Sequence, residues 1–234
     1  MSILGAGVVL ALGIILTLLI GLASIKHLRK WALANHRSSL KPLGIVGLLG
    51  GLVALVLILL VGDTFGFPGS RDYQTYELFN RSMSFILALQ SCAILAFATA
   101  HYGKLTNFGQ NVLAVILGGW IAMAIGTAAE FWLFSSLPYA EINMRSFSFS
   151  LFSMGSLITG LSMLILGFKI LRSRRITWLF GILFIAYLPL DIALFILNES
   201  IFLASAVGAI SIALTTLIDN RNSDLTDMGG AKIR

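Results

Sequence analysis

Residues 43–61 read LGIVGLLGGLVALVLILLV, nineteen residues in a row without a charge, an amide or a hydroxyl. At about 1.5 Å per helical residue, such a run matches the ~30 Å hydrocarbon core of a bilayer. Inside hydrocarbon no water is available to the backbone, so the peptide groups must bond within the segment and the run must be helical. Runs of similar length and character recur at 3–25, 82–100, 112–134, 146–171, 178–197 and 201–218. Only 11% of the chain is charged, whereas soluble domains carry about 25%. The sequence therefore predicts an all-α integral membrane bundle of seven transmembrane helices. It forms one domain over 1–218, with a short polar cytoplasmic tail at 219–234.

The distribution of positive charge predicts the orientation. Lys and Arg number five in 26–41, one at Lys104, four in 169–175 and three in the tail, against only Arg71, Arg81 and Arg145 on the other side. Because basic loops are retained in the cytoplasm, the N-terminus is expected outside and the C-terminus inside. Trp31, Tyr102 and Trp178 flank the spans on the inner side, and Tyr73, Tyr76, Trp132 and Tyr139 on the outer, as aromatic belts do. The first residues lack a basic n-region, so the first span is expected to persist in the mature protein. The same distribution answers the net charge of +6: the cations stand where topology needs them, and no nucleic-acid partner is expected. Lys26, Arg29, Lys30, Arg37 and Lys41 form a candidate contact for anionic lipid headgroups, although topology alone already accounts for them.

Small residues forecast which faces meet, since lipid gives helices no hydrophobic reason to associate. Gly13, Thr17 and Gly21 line one stripe of the first helix; Gly44, Gly47 and Gly51 do so in the second. Ser153, Ser156, Gly160 and Gly167 mark the fifth, and Ala204, Gly208, Ser211 and Thr215 the seventh. Packing within the chain is the expectation for these stripes. The stretch SFSFSLFS at 146–153 alternates like a strand, but a lone strand cannot cross a bilayer. It is expected to be helical, with its serines bonded back to the preceding turn.

Polar residues inside the spans are the functional candidates. Asp191, Glu130 and Gln90 fall in the outer half, roughly 9, 6 and 12 Å below the outer helix ends at 1.5 Å per residue. Pro189, two residues before Asp191, frees a backbone carbonyl near Ile185 and predicts a kink. The shared depth suggests an outward-facing polar pocket of Gln90, Glu130 and Asp191, with Arg81 or Arg145 as counter-charge. The opposing expectation is that these groups only stitch helices together.

Several chemistries are excluded. No catalytic residue, metal site or cofactor is expected. His27, His36 and His101 lack metal-ligand spacing, no histidine pair sits within the spans to hold a haem, and no nucleophile elbow or phosphate-binding loop occurs. The seventh span lacks the lysine on which retinal proteins form their Schiff base, and the receptor triplet at the inner end of helix three is missing. The single cysteine, Cys92, lies in an apolar run and reads as a packing residue. The run GFKILRSRRITWLFGILFIAYLP at 167–189, a helix ending in a basic turn before a Trp- and Gly-led helix, resembles a pattern in uncharacterised small bacterial multi-pass membrane proteins. That resemblance implies a bacterial inner membrane and carries no site residue across. Two functions follow as alternatives. One is a small-molecule or ion carrier or ligand sensor with an outward-facing polar pocket. The other is a non-catalytic accessory subunit whose partner is another protein or a second copy in the bilayer.

Overall fold

The computed structural model describes residues 3–34, 37–61, 72–138, 142–173, 175–196 and 202–230. Seven α-helices account for nearly all of them: α1 Ile3–Ala34, α2 Leu40–Val61, α3 Tyr73–His101, α4 Asn107–Ala128, α5 Met144–Ser173, α6 Trp178–Ile196 and α7 Leu203–Gly230. No strand occurs among the described residues. Stretches of α1 to α5 and of α7 are long and apolar enough to cross a membrane. The apolar part of α6, Trp178–Leu194, is shorter. The protein is thus a multi-pass helical membrane protein, with six long candidate spans and one shorter apolar helix among the described residues.

The helices overrun the apolar segments that announced them. α1 continues nine residues past Ile25, so that Lys26, Arg29 and Lys30 are exposed on its last turns, with Lys41 exposed on the first turn of α2. Arg37 lies in the short 3₁₀ turn Arg37–Ser39. The expected loop over 26–41 is therefore mostly helix, because hydropathy marks the hydrocarbon boundary while backbone bonding continues into the interface. α3 likewise begins at Tyr73, and α7 runs through the expected tail to Gly230. The expected tight turn at Asn198–Ser200, the loop around Pro68, Arg71, Tyr139 and the side chain of Arg37 lie outside the described residues.

The core is built by α3 and α4. Met83, Leu87, Ile94 and Phe97 of α3 and Leu113, Ile116, Trp120 and Met123 of α4 are buried. Against them α6 places Phe180 and Phe184, whose rings lie 4.9 and 5.1 Å from that of Phe97. α5 packs along α4 and α6, α2 along α3 and α7, and α1 along α4 and α5. α1 and α2 are peripheral and keep rows of exposed leucine, isoleucine and valine, as a lipid-facing surface requires.

Glycine sets the helix spacing. A β-carbon on Gly126 of α4 would lie 2.6 Å from the Phe152 nitrogen of α5, so the backbones touch there. In α2 the small residues divide between two partners. Gly47 and Gly50 face Ala93 and Leu89 of α3, while Gly44 and Gly51 face Leu217 and Ile210 of α7. The Gly47–Gly51 spacing is therefore a corner between two neighbours and not one dimer face. On α1, Gly13 meets Ser150 of α5 and Gly21 meets Val115 of α4, with Thr17 buried between them and bonded to the Gly13 carbonyl at 2.8 Å.

Residues 146–153 are helical, as the bilayer argument requires. Ser148 and Ser153 donate back to the carbonyls of Met144 and Phe149, at 2.7 and 3.0 Å. Ser150 departs from that pattern: its hydroxyl crosses to the Val9 carbonyl of α1 at 2.9 Å.

Candidate functional site

The bundle has a basic end, where α1, α3, α5 and α7 finish, and an opposite end, where α2, α4 and α6 finish. Asp191 lies on α6 near the opposite end, and α6 stays helical through Pro189. Its carboxylate is half-buried and accepts a hydrogen bond from Ser156 of α5 at 2.9 Å. A carboxylate offers about four acceptor positions, and the Ser156 hydroxyl fills one. Gly160 and Gly167 lie on the same α5 face and let α6 approach, with Leu188 and Ile185 against them. The small stripe of α5 is thus the seat of α6.

One turn further toward the basic end, α5, α6 and α7 line an open cavity of about 190 Å³. Met163, Leu183, Leu190 and Val207 make its wall apolar, and Tyr187 and Ser211 also line it. Tyr187 precedes Asp191 by four residues and Met163 follows Ser156 by seven, so cavity and carboxylate share faces of α6 and α5. Behind the cavity the Tyr187 ring lies 6.0 Å from that of buried Trp120. Gly208 of α7 leaves room for the Tyr187 ring.

The other expected pocket residues are placed as follows. Glu130 is 3% exposed and sits in a π-helical turn, Ala129–Leu133, that closes α4 with a bond from the Phe134 nitrogen to the Ala129 carbonyl at 3.0 Å. Such turns widen the helix and redirect its side chains. Arg81 donates from Nε to the Phe131 carbonyl of that turn at 2.8 Å, and its guanidinium lies 5.1 Å from the centre of the Trp132 ring. Arg81 also pairs with the carboxylate of Glu77, one helical turn away at 2.7 Å.

Arg145 is fully buried and holds the connection between α4 and α5. It donates to the carbonyls of Ser135 and Leu137 at 2.6 and 2.8 Å, and to the Tyr73 hydroxyl at 3.2 Å. Asn143 fixes its start by accepting from the backbone nitrogens of Arg145 and Ser146. Gln90 is fully buried, with neither amide atom hydrogen-bonded among the described residues. Its backbone packs near Gly50 of α2, and it shares no hydrogen bond with Asp191.

One cluster has no counterpart in the sequence reading. At the basic end Asp219 of α7 accepts from the Thr177 hydroxyl, just before α6, at 2.7 Å. Its other oxygen lies 3.5 Å from Nε2 of His101, at the end of α3. His101 is 1% exposed and wedged between Phe97 and Phe180, with ring centres 4.9 and 5.1 Å away. The long His101 contact falls outside hydrogen-bond geometry. Asp219 stands between the hydroxyl and the imidazole, so it cannot orient that imidazole toward the hydroxyl as a nucleophile's base. The Thr177–Asp219 bond ties the start of α6 to α7, with His101 of α3 packed beside it, and the expected polar tail begins with a residue of the bundle.

Among the described residues, no group of three or more His, Cys, Asp or Glu is placed to hold a metal. Compared with known proteins, the chain matches no protein-family model, no curated protein and no solved structure.

Proposed function

We propose that the chain is a seven-span protein of a bacterial inner membrane, N-terminus outside and C-terminus cytoplasmic, acting as a carrier or sensor of a small molecule. In this reading the ligand enters from the outer half. Its donor-bearing or cationic head meets Asp191, and its apolar body fills the cavity among α5, α6 and α7. The observation that carries the reading is Asp191 itself, with one hydroxyl partner and its helix face shared with a cavity of about 190 Å³. A carboxylate in hydrocarbon costs about 2.5–3.5 kcal/mol on insertion scales, and less toward the interface; a helix tie could be made by a neutral side chain. The 19 residues of α6 measure roughly 28 Å, which supports its counting as a span.

The test is thiol accessibility in oriented vesicles. In a Cys92→Ala background, Ser211→Cys should react with a membrane-impermeant thiol reagent supplied outside. An alkylammonium probe should slow that reaction with Asp191 present and leave it unchanged in Asp191→Asn. No reaction from outside, or the same protection in both, rejects the reading. A second reading, an accessory subunit bound to another protein or a second copy, is favoured by the Ser156–Asp191 bond, which joins two helices much as Ser150 and Val9 do.

A further inference from the structure

The basic end carries a second cavity, of about 300 Å³, between the start of α4 and the end of α5. Lys104, Lys169, Arg172 and Arg175 line it, together with Thr106 and Gly109. All four cationic side chains are exposed, and none forms a salt bridge with a carboxylate among the described residues. The Lys169 ammonium lies 4.9 Å from the centre of the Phe108 ring, which holds its stem beside the opening of α4. Four like charges around one hollow repel each other, and an anion within it relieves that repulsion.

The backbone adds to the same field. Thr106 caps α4 by accepting from the Gly109 nitrogen at 3.2 Å, and its carbonyl accepts from Gln110 at 2.9 Å. That leaves the Asn107 and Phe108 amides without an intrahelical acceptor, at the positive end of a 22-residue helix with no acid in its first turn. Positive-inside topology explains why cations occupy this end of the bundle. It does not explain why four converge on one hollow with a helix opening into it. The volume is at the lower limit of small-molecule pockets, roughly 300 to 1,000 Å³. Guanidinium groups suit phosphate oxygens through paired N–H donors.

We infer that this cavity binds a phosphate group, carried either by an anionic lipid of the adjoining leaflet or by a soluble phosphate ester. It is separate from the Asp191 site and from the Lys26–Lys41 cluster, and it does not depend on the reading of either.

The experiment uses the full chain in phosphatidylcholine nanodiscs and reads thermal stability. One arm adds inorganic phosphate or glycerol phosphate, and the other replaces part of the lipid with phosphatidic acid. Arg172→Gln/Arg175→Gln removes two cavity charges; Lys26→Gln/Lys30→Gln removes two from the same end outside the cavity. The inference expects stabilisation in at least one arm, with the apparent affinity at least about tenfold weaker in the arginine variant and unchanged in the lysine variant. The arm that responds identifies the source of the phosphate. No stabilisation in either arm overturns the inference, as does an equal loss in both variants, which marks general surface charge. Since the substituted residues are exposed and in no ion pair, misfolding does not confuse the result.

Discussion

Gly47→Ala tests the packing account at its most constrained point. A β-carbon there would lie 2.5 Å from the Ala93 nitrogen and 2.8 Å from its Cα and Cβ. Carbon atoms rest about 3.5–4.0 Å apart, so α2 must retreat from α3 by roughly 1 Å. A gap of that size forfeits about a quarter to a half of each neighbouring contact, and overpacking typically costs about 1–3 kcal/mol. The intrinsic preference of a helix for Ala over Gly returns up to about 1 kcal/mol, leaving a net loss of about 1–2 kcal/mol. Gly7→Ala is the control, because nothing lies within 4 Å of a β-carbon on that exposed α1 residue. It should gain about 0.5–1 kcal/mol from propensity alone. Reversible unfolding in mixed micelles, followed by circular dichroism, should therefore separate the two variants by about 2 kcal/mol, the Gly47 variant being the weaker. Equal stabilities, or a Gly47→Ala variant above wild type, would refute the helix spacing described for α2 and α3.

Three further outcomes follow from the buried polar groups. Arg145→Met should destabilise by about 1–3 kcal/mol, since it strands the Leu137 carbonyl and leaves the Ser135 carbonyl only the Tyr73 hydroxyl, and Arg145→Lys should not restore the loss because an ammonium lacks the guanidinium fork; equilibrium unfolding of both checks this. Gln90→Leu should stabilise by about 1–2 kcal/mol, as it removes a buried amide without hydrogen-bond partners, and a loss of stability by the same assay would mean the amide has one. Thr177→Val should cost about 0.5–1 kcal/mol and raise amide hydrogen exchange at the basic ends of α6 and α7; unchanged exchange there would rule out Asp219 as a tie.

The apolar runs announced every helix, because the bilayer leaves the backbone one solution. They understated helix length wherever polar residues continue the turn beyond hydrocarbon, as in Lys26–Ala34 and Tyr73–Arg81. One local signal within the second of these is legible: Glu77 and Arg81 are four residues apart, the spacing that joins side chains along a helix. Their pairing gives Arg81 a carboxylate on its own helix. The small stripe of α5 foretold the approach of α6 and included Ser156, the partner of Asp191. What periodicity could not convey was contact across the chain. His101, Thr177 and Asp219 meet only through the bundle's topology. The π-helical turn around Glu130 has no composition of its own to betray it.

In the proposed function, Asp191 is kept for a ligand and not for stability. The most direct measurement of that claim is the unfolding free energy of Asp191→Leu beside Ser156→Ala and the double variant. In that case Asp191→Leu stands at or above wild type, and Ser156→Ala costs no more than about 1 kcal/mol, the net worth of one hydrogen bond. A loss of about 1.5–3 kcal/mol in both single variants, not increased in the double, would be the signature of a charge-assisted tie between α5 and α6. That result would contradict the claim.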